Sequence, residues 1–339
     1  MATKGRLHPV LAIAAVLLVA VPLATFALVT PAAARRDHGV YAPGARREPR
    51  GSSGCGSPAV AGTTTETLNV ADAPRQYRLA VPSNPTGKRP LPVILNFHGQ
   101  PSNDVEQAVY SQLEEKGPAH GFVVITPNAG DPPFWAKPEL NFYEASDANL
   151  AFTQALIDNA KTSLCIDTKR IYATGFSAGA GMSAYLGCKL SRQLAAIAPV
   201  SGVNGAEPCP HGKPMSVIAF HGTADPTIAY GGGPGALAGR PDRDWPSVET
   251  AVQAWAGRAG CRTKPASQAI GTEVQRIAYR GCARGAGVVL YAVTGGGHTW
   301  PGSSIEVPRF GHTTQDINAA DLMLDFFSHH PAPSKNAKS

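Results

Sequence analysis

Six short, nearly continuous apolar runs punctuate this chain: Leu91–Phe97, Phe122–Pro127, Ile171–Phe176, Ala195–Val200, Met215–Phe220 and Val288–Val293. Runs of this length without polar alternation predict strands covered on both faces, as in a parallel sheet. Between them the apolar spacing becomes helical. Asp147–Ser163 carries Leu150, Ala151, Ala155 and Leu156 among polar residues, and Ser247–Ala259 carries Val248, Val252 and Trp255. Ala178–Leu190 and Asn318–Phe327 complete the predicted helices. Ahead of the apolar runs, Thr63–Val70 and Gln76–Val81 have strand composition and flank the turn Ala71-Asp72-Ala73-Pro74, which predicts an antiparallel hairpin at a sheet edge. Strand–helix alternation of this kind predicts an α/β fold with a mostly parallel, doubly wound sheet. There are no internal repeats, and glycine-dense Gly231–Gly239 predicts a surface loop.

The chain ends carry different patterns. Lys4 and Arg6 precede an apolar run from Val10 to Val21, stopped by Pro22, and Ala32-Ala33-Ala34 supplies small residues at a cleavage site. Residues 1–34 therefore read as a secretory signal, too short in its apolar part for a stable membrane anchor. Residues 35–54 are rich in Arg, Gly, Pro and Ser and read as a flexible linker. Residues 55–330 form the predicted catalytic domain and 331–339 a polar tail.

Charge changes little once it is located. The formal net charge is +6, but the excess lies in Lys4, Arg6, Arg35, Arg36, Arg46, Arg47 and Arg50, and from Gly51 onward the charges nearly balance. No basic face for nucleic acid is visible in the body, which is expected to act as a secreted monomer. The six cysteines, Cys55, Cys165, Cys188, Cys209, Cys261 and Cys282, include no C-x-x-C pair. An even count behind an export signal predicts disulfides, although spacing alone does not choose the pairs.

The chemistry gathers at strand ends. The run from Ile171 enters Gly175-Phe176-Ser177-Ala178-Gly179, a G-x-S-x-G sequence followed by a small-residue helix. That combination predicts a nucleophile elbow with the Ser177 hydroxyl exposed on a sharp turn. A serine needs a base to take its proton, and the base needs an acid to hold its tautomer. Asp225 follows the Met215 strand within His221-Gly222-Thr223-Ala224-Asp225-Pro226. His298 follows the last strand within Thr294-Gly295-Gly296-Gly297-His298-Thr299-Trp300-Pro301-Gly302. The order Ser, acid, His is that of an α/β-hydrolase. Asp242, Asp244 and Asp316 are rivals for the acid, but none directly follows a strand; His312, His329 and His330 fit the base less well, His312 lying in a polar stretch and the other two at the frayed end of the chain. The developing oxyanion needs backbone donors. The N–H of Ala178 is one candidate, and the N–H of Gln100, in the loop His98-Gly99-Gln100-Pro101, is the other. Gly99 and Asn103 are its neighbours, and His98 is expected to tie the loop down. No metal is expected, because no His-x-His or His-x-x-x-His spacing and no carboxylate cluster occurs. No cofactor is implied, and no carboxylate pair stands out for glycoside hydrolysis.

Together, the elbow, the His-Gly-Thr-Ala-Asp-Pro and Gly-Gly-Gly-His-Thr-Trp-Pro-Gly stretches and the N-terminal His-Gly loop resemble the secreted esterase family of polyhydroxybutyrate depolymerases and feruloyl or acetylxylan esterases. The resemblance runs from about Cys55 to about His330. It implies an α/β-hydrolase fold, a small or polymeric ester as substrate, Ser177 as nucleophile, Asp225 as orienting acid, His298 as base and Trp300 at the acyl pocket, where packing is an equal reading. It also implies the disulfides Cys188–Cys209 and Cys261–Cys282, leaving Cys55–Cys165. The alternatives are an acyltransferase using the same residues and a non-catalytic hydrolase-fold protein that binds polysaccharide or envelope.

Overall fold

The computed structural model describes residues 51–83, 85–130, 135, 147–205, 212–234 and 244–333. The expected signal, most of the linker, Cys209, Asp242 and the end of the tail lie outside the described residues.

Strands β1 (Gly62–Val70) and β2 (Ala73–Val81) form the expected hairpin. Its loop is only two residues, because Ala71 and Asp72 both take positive φ, 49° and 62°. This matches the twist of paired strands. Then come β3 (Leu91–Phe97), α1 (Asp104–Ser111), α2 (Leu113–Ala119), β4 (Val123–Pro127), α3 (Asp147–Ser163), β5 (Ile166–Phe176), α4 (Ala178–Lys189), β6 (Ala196–Val200) and β7 (Ser216–Gly222). A short ribbon of β8 (Gly233–Pro234) and β9 (Asp244–Trp245) precedes α5 (Val248–Arg258). The chain closes with β10 (Ala266–Ile270), β11 (Val274–Tyr279), β12 (Val288–Val293) and α6 (Ala319–His329).

Ten strands make one sheet in the order β1-β2-β4-β3-β5-β6-β7-β12-β11-β10. The inner strands from β4 to β12 are parallel to one another, and an antiparallel pair flanks each side. The alternation predicted this mostly parallel sheet, and the arrangement is the α/β-hydrolase fold that the resemblance implied. Buried apolar side chains form two layers. Phe152 and Leu156 of α3, Met182 and Leu186 of α4 and Trp255 of α5 cover one face. Leu113 of α2 and Met323 and Phe327 of α6 cover the other. Tyr172, central in β5, stacks on Phe327 at 4.4 Å and donates to its carbonyl at 2.6 Å.

Two pairs of cysteines are joined as expected, Cys55–Cys165 and Cys261–Cys282. Cys188 is also disulfide-bonded.

Candidate active site

Parallel pairing brings β3, β5, β6, β7 and β12 to a common C-terminal edge, where each loop carries one part of the site. At the centre, Ser177 leaves β5 with φ 55° and ψ −116°. That backbone is costly for a residue with a Cβ and holds the side chain up from the turn. The Ser177 N–H is fixed to Val200 O of β6 at 3.0 Å, and Ser177 O accepts from Ala180 and Gly181 of α4. The serine is half-buried and sits at the N-terminus of α4, where orphan N–H groups favour negative charge.

Asp225 and His298 come from neighbouring strands. Gly222 ends β7, and a Cβ there would lie 2.4 Å from Gly297 O, so the absence of a side chain lets the two loops touch. Thr223 N–H donates to Val293 O and Ala224 N–H to Gly296 O. The result is a buried pair in which His298 Nδ1–H donates to Asp225 Oδ2 at 2.8 Å. Asp225 Oδ1 accepts from the N–H groups of Thr227 and Ile228, both at 2.8 Å. Burial alone would push the Asp225 carboxyl up. The imidazole bonds from His221 and His298 outweigh it and hold the group well below the ordinary carboxylate range. With Nδ1–H committed to Asp225, His298 keeps Nε2 as the free lone pair. Its ring packs against Phe176, beside Ser177, at 4.8 Å. Among the described residues no hydrogen bond joins Ser177 Oγ to His298; in free enzymes such contacts are commonly long and tighten with substrate.

The loop after β3 is anchored from below. His98 is fully buried, donates from Nδ1 to Gly99 O at 2.7 Å and accepts from Ala129 N–H at Nε2 at 3.0 Å. Trp135 Nε1 donates to His98 O at 2.8 Å. Arg75 reaches the carbonyls of Asn128 and Ala129, bracing the turn that meets His98. His98 is thus a strut for the Gly99-Gln100 loop, and burial pushes its imidazole below the ordinary value despite the Gly99 bond. Neither the Gln100 N–H nor the Ala178 N–H has an acceptor among the described residues.

The rival candidates sit elsewhere. His312 pairs with Glu273, Asp316 accepts from the N–H groups of Thr272 and Glu273, and Asp244 lies in β9. His329 and His330 end α6 and bond back to its carbonyls. Trp300 is 1% exposed and packs in the layer containing Met323 and Phe327, with its backbone N–H donating to Tyr110 Oη at 3.0 Å. Its placement is that of a packing residue beneath the site. No group of His, Cys, Asp and Glu among the described residues is assembled to hold a metal.

Two neighbours of the site had no signature in the sequence. Ser201, at the end of β6, is buried with φ 52° and donates from Oγ to Thr299 O at 3.0 Å, tying the His298 loop to the strand beside the elbow. Phe310 is half-buried and lies edge-on to the His298 ring at 5.5 Å. His298 N–H donates to Phe310 O at 2.7 Å.

A family profile described as phospholipase/carboxylesterase matches residues 143–235. Feruloyl esterase B of Piromyces equi is 28% identical over 230 residues, which are 66% of this chain and 42% of that enzyme, so the chain spans less than half of that relative's length. Putative esterase NocK of Nocardia uniformis subsp. tsuyamanensis is 30% identical over 284 residues, 78% of this chain and 82% of its own length. The chain belongs to the α/β-hydrolase esterases. Feruloyl esterase D of Neurospora crassa is 28% identical over 262 residues, 73% of this chain and 82% of that enzyme. The acetyl xylan esterase of Aspergillus awamori shares the fold of this esterase, with a TM-score of 0.56 at 13% identity, covering 78% of this chain and 99% of that one.

Proposed function

We propose that this chain is a secreted serine carboxylesterase acting on feruloyl-type esters of plant polysaccharide. Ser177 is the nucleophile, His298 the base, Asp225 the orienting acid, and the N–H groups of Gln100 and Ala178 the oxyanion hole. The observation that carries the reading is the buried 2.8 Å Asp225–His298 bond on loops that converge on a strained serine. In the first step Ser177 Oγ attacks the ester carbonyl while its proton passes to His298 Nε2. Asp225 stabilises the imidazolium, and the oxyanion accepts from the two backbone donors. Collapse expels the alcohol, which takes the proton from His298. Water then repeats the sequence on the acyl-enzyme and releases the acid.

The choice of acyl group rests on the feruloyl esterases among the relatives and on Phe310, whose half-buried ring beside His298 suits an aromatic acyl group better than a short hydroxyalkanoate. Secretion is supported by the basic-then-apolar pattern of residues 1–34 and by the disulfides.

The test compares methyl ferulate, 4-nitrophenyl acetate and a hydroxybutyrate trimer as substrates of wild type and Ser177→Ala. Ferulate should give the highest kcat/KM, and Ser177→Ala should lose at least ~10³-fold on every ester. Equal rates in the two proteins would end the serine mechanism, and a preference for the trimer would replace the feruloyl reading.

A further inference from the structure

His221 is an unused histidine next to the candidate acid. It lies one residue before the end of β7, and its side chain is wholly buried. Its Nε2 is 2.9 Å from Ile228 O and 3.2 Å from Asp225 Oδ2. A carbonyl oxygen can only accept, so Nε2 carries the hydrogen and shares it between the two oxygens. Nδ1 is then the lone-pair nitrogen, and it has no hydrogen-bond partner among the described residues. The ring is held edge-on to Tyr230 at 6.0 Å.

The consequence falls on Asp225. Its Oδ2 receives two imidazole N–H groups, from His298 at 2.8 Å and from His221 at 3.2 Å. Its Oδ1 is filled by two backbone donors. Every accepting direction of this carboxylate is occupied, so it has one orientation available. We infer that His221 is a positioning residue for ester hydrolysis, donating from Nε2 to Asp225 Oδ2 and thereby setting both the plane of the carboxylate and the strength of its bond to His298.

This rests on the assignment of Asp225 and His298 made above. An oxygen already accepting from one donor is a weaker acceptor for a second. His221 therefore moderates how strongly Asp225 stabilises the His298 imidazolium. The arrangement trades base strength for geometry. Without the second donor Asp225 would hold the imidazolium more tightly, and its Oδ2 would be positioned by His298 alone. The other titratable groups facing the pair are few. Tyr230 presents its ring to His221, and its hydroxyl points away to Glu249 of α5 at 3.1 Å.

The experiment is a pH profile of kcat/KM on 4-nitrophenyl acetate for wild type, His221→Phe, His221→Gln and Asp225→Asn. His221→Phe keeps the bulk and removes the donor; kcat should fall about tenfold, the worth of one hydrogen bond, with KM little changed. Its acid limb should move up by about half a pH unit, because the freed Oδ2 binds the protonated base more tightly. His221→Gln keeps an N–H donor and should return the limb towards wild type. A limb unmoved in His221→Phe, with only thermal stability reduced, would show a packing role and overturn the inference. Should His221→Phe not fold, ¹⁵N-histidine NMR of wild type decides the matter. His221 must carry its hydrogen on Nε2 and His298 on Nδ1, and an Nδ1–H tautomer at His221 overturns the inference. Asp225→Asn separates the two readings: full activity there removes the triad assignment itself, whereas loss of activity there with an unmoved His221→Phe limb removes only the role of His221.

Discussion

Gly179 shows how little room the elbow leaves. A Cβ there would lie 2.6 Å from His98 O and closer still to Phe97 O, both at the end of β3. The helix that starts at Ser177 can therefore lie against the Gln100 loop only without a side chain at this position. Gly179→Ala should cost about 3 kcal/mol through overpacking and should lower kcat, because β3 must shift and carry Gln100 with it. Gly257 is the contrasting case. It is exposed in the last turn of α5, and a Cβ there would meet nothing within 4 Å. Gly257→Ala should stabilise the protein by about 0.5 kcal/mol at unchanged activity. Urea denaturation of both variants with a parallel ester assay checks the pair, and equal effects of the two substitutions would contradict it. The gathering of Ser177, Asp225 and His298 at one edge of the sheet was legible because each follows an apolar run within a few residues, so sequence adjacency to a strand stood in for position in space. Ser201, Phe310 and the bond from His221 were not legible. Their roles arise from contacts between residues far apart in the chain, and nothing in a buried serine or a loop phenylalanine announces its neighbour.

At the level of elements, five of the six apolar runs match their strands to within two residues, because burial on both sides leaves no polar positions to blur the run; β5 starts five residues ahead of its run, at Ile166, because the polar residues 167–170 hid that part of the strand. The elements that escaped have weaker patterns. Helix α1 is only eight residues, capped by Asn103 and carrying exposed Val105 and Val109, and α2 contains Pro118. Strand β10, Ala-Ser-Gln-Ala-Ile, is mostly exposed, and β11 alternates weakly, so the second antiparallel edge of the sheet had no apolar run to mark it. The segments leading into both edge strands are instead cross-linked covalently. Cys55–Cys165 joins the segment before β1 to the residue before β5, across a separation of 110 residues, and Cys261–Cys282 joins the approach to β10 to the segment after β11, across 21. If the bonds act mainly by restricting the unfolded chain, removing the first costs about 5 kcal/mol and removing the second about 3 kcal/mol. Cys55→Ala/Cys165→Ala should therefore melt at a lower temperature than Cys261→Ala/Cys282→Ala. Calorimetry on the two double variants gives the order, and the reverse order would mean that strain or residual structure dominates.

For the whole molecule, the buried titratable groups set how stability depends on pH. His98 and His330 are both held below the ordinary imidazole value of 6.5, chiefly by burial. Asp225 is held below its ordinary 3.8, where its two imidazole bonds outweigh burial. In each case the unfolded chain binds the proton more readily than the folded one, so stability falls as pH falls. The two imidazoles contribute their full share above pH 6.5 and lose it as pH drops from there through their depressed folded values. Asp225 contributes fully above 3.8 and loses its share only below that. The melting temperature should therefore decline on acidification in two stages, a first below pH 6.5 and a second below pH 3.8. His330 stacks on Phe326 at 3.9 Å and bonds to its carbonyl, away from the candidate catalytic groups. His330→Phe keeps a ring on Phe326 and removes one titrating group, so the decline between pH 7 and pH 5 should be shallower than in wild type while the second stage is unchanged. Asp225→Asn should leave the first stage intact and make the second shallower, the remainder coming from Asp158, Glu273 and Asp316, which are also held low. Melting curves at half-unit intervals from pH 7 to pH 3 separate these effects. An identical first-stage decline in wild type and His330→Phe would mean that His330 gains no acid sensitivity from its place at the end of α6.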